Sequence, residues 1–183
     1  MMRTLPLVLI ALAAGVAGFF LYNALAGRDA PSDDGLPSLP GKPQVAEFAP
    51  AFVLPDVSGA QRSSAEWDDT LRVVNFWATW CPPCLKEMPA FVEVQEAYGE
   101  QGFTIVAVAI DAEQDVRDFN ETYGLNFPVL LGESGGLTVS RDYGNRVGAL
   151  PYSALFDREG TIRFVKAGEL HKETLEDELR PLL

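Results

Sequence analysis

The chain has 183 residues and a mass of 19.9 kDa, room for one ordinary domain and a tail but not for two full domains. With 48% hydrophobic and 22% charged residues it is too apolar to be disordered, and its 16 Gly and 13 Pro follow no period, which excludes a collagen-like chain. A formal net charge of −12 argues against nucleic acid as a partner, and two cysteines are too few for a disulfide-stapled scaffold.

The first feature in chain order is LPLVLIALAAGVAGFFLYNALA, the 22 uncharged residues from Leu5 to Ala26. A helix of roughly 20 apolar residues spans a bilayer, whereas the apolar part of a secretory signal is usually about 7–15 residues. Arg3 precedes the stretch; Asp29, Asp33 and Asp34 follow it. That asymmetry places the amino terminus in the cytoplasm and the rest of the chain across the membrane. Residues 1–26 are therefore expected to be an uncleaved anchor. The alternative is a signal peptide cleaved near Ala24-Leu25-Ala26, which leaves a soluble exported protein. No lipid-acceptor cysteine follows, so a lipoprotein is excluded.

Residues 27–44 are rich in Pro, Gly, Ser and Asp without apolar periodicity and read as an extended linker. Residues 45–183 then form the single domain. All 26 acidic residues and 13 of the 14 basic ones follow Ala26, so the part expected outside the cytoplasm carries a formal charge of −13.

Within the domain, strands and helices alternate. Phe52–Leu54 reads as a short strand stopped by Pro55. Leu71–Ala78 is a β-rich, mostly apolar run suited to a strand buried on both faces. Pro82–Tyr98 carries helix formers and ends at Gly99, with Pro89 expected to kink it. Phe103–Ile110 is a second buried strand, Ala112–Tyr123 a polar-faced helix closed by Gly124, Phe127–Leu131 a short strand and Leu137–Tyr143 a short helix. Tyr152–Phe156 and Thr161–Val165 flank Asp157-Arg158-Glu159-Gly160 and predict a β-hairpin. Lys172–Leu183 closes the chain as an amphipathic helix. The pattern indicates an α/β fold with a central mixed β-sheet flanked by helices.

Both cysteines lie in Trp80-Cys81-Pro82-Pro83-Cys84, after a buried strand and at the start of a helix. Unpaired N–H groups and the positive end of the helix dipole favour a thiolate there, so Cys81 is expected to be the attacking thiol. Cys84, one turn further in, is placed to resolve the mixed disulfide. Other readings are a zinc half-site, an inert structural disulfide or a pair of buried free thiols. Zinc would need further soft ligands, and the chain has neither a second Cys pair nor any His besides His171. A c-type haem attachment fails because Leu85, not His, follows Cys84. Position and compartment favour redox work, with no cofactor and no metal required. His171 reads as a surface residue, and Asp111 to Asp115 as a solvated helix start.

The run from Asn75 to Pro89, NFWATWCPPCLKEMP, resembles the active-site segment of thioredoxin-like proteins. It is most similar to the membrane-tethered TlpA/ResA group of extracytoplasmic thiol–disulfide oxidoreductases, relatives of the cytochrome c maturation thioredoxins. Phe52 to Asp56, Val108 to Asp111, and Val147-Gly148-Ala149-Leu150-Pro151 support the resemblance. It implies a thioredoxin-like fold with an insertion at Ala112 to Pro128. Pro151 matches a cis-proline that packs beside the disulfide and helps hold a substrate chain; an ordinary trans proline opening a strand is the alternative. Glu87 matches a carboxylate near the cysteines that tunes their pKa and carries protons, the alternative being a solvated helix acid. Trp80, Pro82 and Pro83 shape the rim. Thioredoxin has a buried Asp where this chain has Asn75, so that proton shuttle is absent, and the acidic residues that the cytochrome branch carries after its cis-proline are replaced by Tyr152-Ser153. The expected partners are exported proteins with disulfides or thiols, an apocytochrome c among the candidates, and a membrane thiol donor. The expected place is the periplasmic face of a bacterial inner membrane. A client-binding module and a peroxiredoxin-type thiol peroxidase are the other function classes; the Pro-x-x-x-Thr-x-x-Cys signature of the latter is not found around Cys81.

Overall fold

Two runs of apolar β-formers become paired central strands in the computed structural model, which describes residues 50–183. The expected anchor at 1–26 and linker at 27–44 lie outside the described residues. Among the described residues no helix is long and apolar enough to cross a membrane.

The elements in chain order are β1 (Val53–Pro55), β2 (Gln61–Ser63), β3 (Leu71–Trp77), α1 (Pro82–Tyr98), β4 (Phe103–Ala109) and α2 (Glu113–Tyr123), then β5 (Val129–Leu131), α3 (Gly136–Asp142), β6 (Tyr152–Phe156), β7 (Ile162–Ala167) and α4 (Lys172–Leu179). A five-stranded sheet has the order β5-β4-β3-β6-β7, and β1 with β2 forms a separate hairpin. Strands β3, β4 and β5 run parallel, while β6 and β7 are antiparallel to their neighbours. The sheet is therefore mixed, as the alternation predicts.

Every residue of β3 is buried, because both faces of the sheet are covered. Leu71, Val73 and Trp77 meet Met88 and Phe91 of α1, Val116 of α2 and Leu175 of α4 on one face. Val74 and Phe76 meet Phe52, Trp67 and Tyr143 on the other. Full burial of one such aliphatic or aromatic side chain contributes about 1.5–3 kcal/mol. The strand is the central one of the sheet, and α1 begins shortly after its end.

Helix α1 starts on two prolines, Pro82 and Pro83, where the missing N–H has no helical partner to lose. Pro89 lies inside it on an exposed position, and the helix runs on as one element. Its ring removes the bond that the carbonyl of Leu85 would otherwise accept. The segment expected as an insertion forms α2, and β5 begins at Val129 rather than Phe127. The closing helix stops at Leu179 and ends in a 3-10 turn, Arg180–Leu182, instead of reaching Leu183. Pro181 restrains the residue before it and breaks the α pattern. Strand β2 and the 3-10 turn Ser64–Trp67 were not expected from hydrophobic periodicity. Their signal is a capping box, in which Ser63 accepts from Ala65 and Glu66 accepts from the Ser63 N–H.

Candidate active site

The connection from β3 to α1 is four residues long, Ala78 to Cys81, and it carries the chemistry. Cys81 caps α1 with extended backbone, φ −96° and ψ 100°, and no side chain bonds to the first helical N–H groups. Pro82 and Pro83 carry no N–H and the Leu85 N–H is bonded to the Cys81 carbonyl, so negative charge at the Cys81 sulfur is favoured by the helix dipole and the Cys84 N–H. Cys81 and Cys84 are joined in a disulfide, with Cα atoms 5.3 Å apart, which removes the free-thiol reading. Cys84 is fully buried and Cys81 is 4% exposed. Of the two, Cys81 is the less buried.

Trp80 is 66% exposed at the rim, beside exposed Pro82 and half-buried Pro83. One residue earlier, Thr79 donates its N–H and its hydroxyl to Asp111 Oδ2 at 2.9 and 2.5 Å. Asp111 follows β4, the parallel neighbour of β3, so the loop before the cysteines is tied to the adjacent strand end. Reading Asp111 as part of a solvated helix start is corrected here. Helix α2 begins at Glu113, with Glu113 and Asp115 in its first turn, while Asp111 braces the active-site loop. Val-Ala-Ile-Asp at the end of a buried strand was the available signal.

Glu87 is 1% exposed, on the face of α1 that also buries Cys84, Met88, Phe91 and Val94. The solvated-acid reading is therefore wrong. Its Oε1 accepts from Asn75 Nδ2 at 2.8 Å, and its Oε2 accepts from the Leu170 N–H at 2.8 Å. Burial pushes its carboxyl up to about 7; the bonds from Leu170 and Asn75 oppose that shift, and the nearby Glu169 charge adds to it. A carboxyl with that value is half-protonated near neutral pH and can both take up and release a proton. Asn75 also donates to Ser153 Oγ at 3.0 Å, and Ser153 stands opposite Asn75 in the β3–β6 register. Sequence reasoning missed the partnership of Asn75, Ser153 and Leu170 with Glu87. The only hint was an uncharged polar residue, Asn75, in the middle of a mostly apolar strand.

The Leu150–Pro151 peptide bond is cis, so the trans alternative is removed. Pro151 is buried, and its carbonyl accepts from the Gly168 N–H at 2.8 Å. The loop before it is stapled by buried Asn145, which donates to Ser140 Oγ and to the Ala149 carbonyl and accepts from the Ala149 N–H, all at 2.8–2.9 Å. Val147, 87% exposed, stands out from that loop. His171 is exposed, 3.3 Å from Glu169, in keeping with a surface residue. Among the described residues no group of three or more His, Cys, Asp or Glu side chains is placed to hold a metal ion.

The model of the AhpC/TSA family matches residues 45–165, well over half of the chain. The chain belongs to the AhpC/TSA family. Among this family member's relatives is the thiol-disulfide oxidoreductase ResA of Bacillus thuringiensis, 34% identical over 96% of this chain and 93% of the relative. The thioredoxin-like protein YneN of Bacillus subtilis is 31% identical over 94% of each. Among solved structures, a thiol:disulfide interchange protein DsbE from Chlorobium tepidum superposes with a TM-score of 0.68 at 29% identity, covering 74% of this chain and 95% of that one. The fold is thioredoxin-like, and this AhpC/TSA protein is a thiol–disulfide oxidoreductase, as the active-site run implied.

Proposed function

We propose that the protein is an extracytoplasmic oxidoreductase that reduces disulfides in exported proteins, held at the inner membrane by residues 1–26 with its domain on the periplasmic side. The observation that carries the reading is the position of its only two cysteines: a disulfide at the first turn of α1, one turn before a buried carboxyl. In the reduced protein the Cys81 thiolate attacks one sulfur of a client disulfide. That S–S bond breaks, the other client sulfur leaves as a thiolate, and a mixed disulfide forms. Cys84 then passes its proton to Glu87 and attacks the Cys81 sulfur. The second client sulfur is released, and the two electrons of the cysteine pair have moved to the client. A membrane thiol donor restores the dithiol. Trp80, Pro82, Pro83 and Pro151 shape the surface on which the client chain lies. The resemblance to the ResA group and the charge asymmetry around residues 5–26 support the reductive direction and the extracytoplasmic location. If that segment is cleaved, the same domain acts as a soluble periplasmic protein.

Two other readings predict different behaviour. A client-binding module, for instance one serving an apocytochrome c, needs the surface near Pro151 but not the thiols. A thiol peroxidase needs a peroxide-reactive Cys81, and position 78, three before it, is Ala where that signature has Thr. The deciding experiment uses Cys84→Ser in the full-length chain, separated on non-reducing gels from cells after acid quench. Mixed disulfides through Cys81 should accumulate, and Cys81→Ser should abolish them. Clients that still bind Cys81→Ser while Cys84→Ser traps nothing would defeat the enzymatic reading.

A further inference from the structure

Asn75 is fully buried at the centre of β3, between Ala107 of β4 and Ser153 of β6. Its Nδ2 donates to Glu87 Oε1 and to Ser153 Oγ. Its Oδ1, also buried, has no partner. A buried amide oxygen without a donor is costly, so its neighbours should explain why the site keeps it.

Both neighbours can exchange roles. A carboxylate only accepts, whereas a carboxylic acid donates; a hydroxyl does either. Turning the carboxamide by 180° puts Oδ1 where Nδ2 was, with two lone pairs facing the same two groups. Oδ1 then accepts from a protonated Glu87 and from the Ser153 hydroxyl. Two hydrogen bonds are made in each orientation, and one end of the amide is idle in each. Leu170 holds Oε2 throughout, so Oε1 is the atom that gains and loses the proton.

We infer that Asn75 is a positioning residue whose carboxamide turns over when Glu87 changes protonation state, holding the carboxyl in one place through the cycle. The inference rests on the proposed role of Glu87 as proton carrier for Cys84. A cation at this position would bind only the charged carboxyl, and an aspartate would bind only the neutral one. An amide serves both, so the proton can leave without the carboxyl swinging away from α1.

The other ionisable groups around Glu87 are accounted for. The two cysteines at the start of α1 are joined in a disulfide and do not titrate in the oxidised protein, and at the far edge Lys172 of α4 is held by Glu93 at 2.6 Å. The segment before α4 brings Glu169, itself beside His171. From β7, exposed Lys166 stands opposite Ser153 in the register. Strands β3 and β6 present only Asn75 and Ser153 to the carboxyl, neither of which ionises.

The test is NMR of the oxidised full-length protein, following the Asn75 side-chain NH2 resonances and the Glu87 carboxyl carbon through a pH titration. The two should move with one midpoint. In Glu87→Gln the Asn75 resonances should stay constant and resemble those of the wild type at low pH, because a Gln amide donates as a protonated Glu does. Asn75→Leu removes a bond from both forms of Glu87. The midpoint in the pH profile of client reduction should therefore stay within about half a unit of the wild type, whereas loss of a donor fixed on the charged form would raise it by about one unit, a tenfold change in proton affinity. Asn75 resonances that ignore the Glu87 titration would overturn the inference, and so would a midpoint raised by a full unit in Asn75→Leu but not in a Glu87→Gln background. Should that variant not fold, the wild-type titration decides alone. Client trapping by Cys84→Ser with fixed Asn75 resonances defeats the amide reversal and spares the oxidoreductase reading; moving resonances without trapping do the opposite.

Discussion

Asp111 has one carboxylate oxygen engaged by both donors of Thr79, two residues before the reactive cysteine. The other oxygen accepts from the Ala112 N–H at 2.8 Å, so a single side chain ends β4 and fixes the turn that carries Trp80. Asp111→Ala leaves the half-buried Thr79 N–H without its acceptor and should cost roughly 1–3 kcal/mol in urea unfolding of the oxidised protein. The rate of client reduction should fall as well, because Cys81 is presented by that turn. Thr79→Val, which removes only the hydroxyl, should cost less. An Asp111→Ala protein as stable as the wild type would show that the turn is held by something else. Glu87 illustrates the same dependence on particular partners: two hydrogen bonds fix its carboxylate, and burial acts against its charge.

Among the elements, the path from β5 to α3 is set by a close approach. A Cβ on Gly132 would lie 2.8 Å from the Val108 side chain, 2.9 Å from the Ala109 carbonyl oxygen and 3.0 Å from the Gly136 Cα. Gly132 also donates to the Ala109 carbonyl and accepts from the Gly136 N–H, each at 2.7 Å. The backbone of β4 cannot retreat, since its pairing with β3 positions Asp111 and the cysteine turn. Gly132→Ala should therefore destabilise the domain by roughly 1–3 kcal/mol through overpacking, measured as a shift in the urea midpoint with an unchanged slope. A midpoint within error of the wild type would mean that α3 can move aside freely. Helix α1 works the other way: its prolines at the first two positions restrict the chain where no hydrogen bond is lost, so the cysteines are held rigidly without weakening the helix.

For the molecule as a whole, Glu87 links stability to pH. Its carboxyl is raised from the ordinary 4.5 to about 7 in the folded protein. Between those values the native state keeps a proton that the unfolded chain has lost, so stability falls as pH rises through that window and levels off above it. The span corresponds to about 3 kcal/mol. Glu87→Gln cannot titrate, and its stability relative to the wild type should improve by about that amount between pH 4 and pH 8. Parallel curves for the two proteins would show that the buried carboxyl stays charged at little cost. The sequence alone determined the redox pair, its strand-to-helix setting, both central strands and the β6–β7 hairpin, because each is written in local spacing: an apolar run, a proline pair, a turn of Asp and Gly. The cis bond at Pro151 was legible through resemblance to related active sites, and the same resemblance singled out Glu87. Only the tertiary structure decided that Glu87 is buried among Asn75, Ser153 and the Leu170 N–H, and that Asp111 braces Thr79. Those partners lie 12 to 83 residues apart along the chain. Periodicity reports which face of an element is covered, whereas a hydrogen-bond partner depends on the register between elements, and register is settled only when the whole core packs.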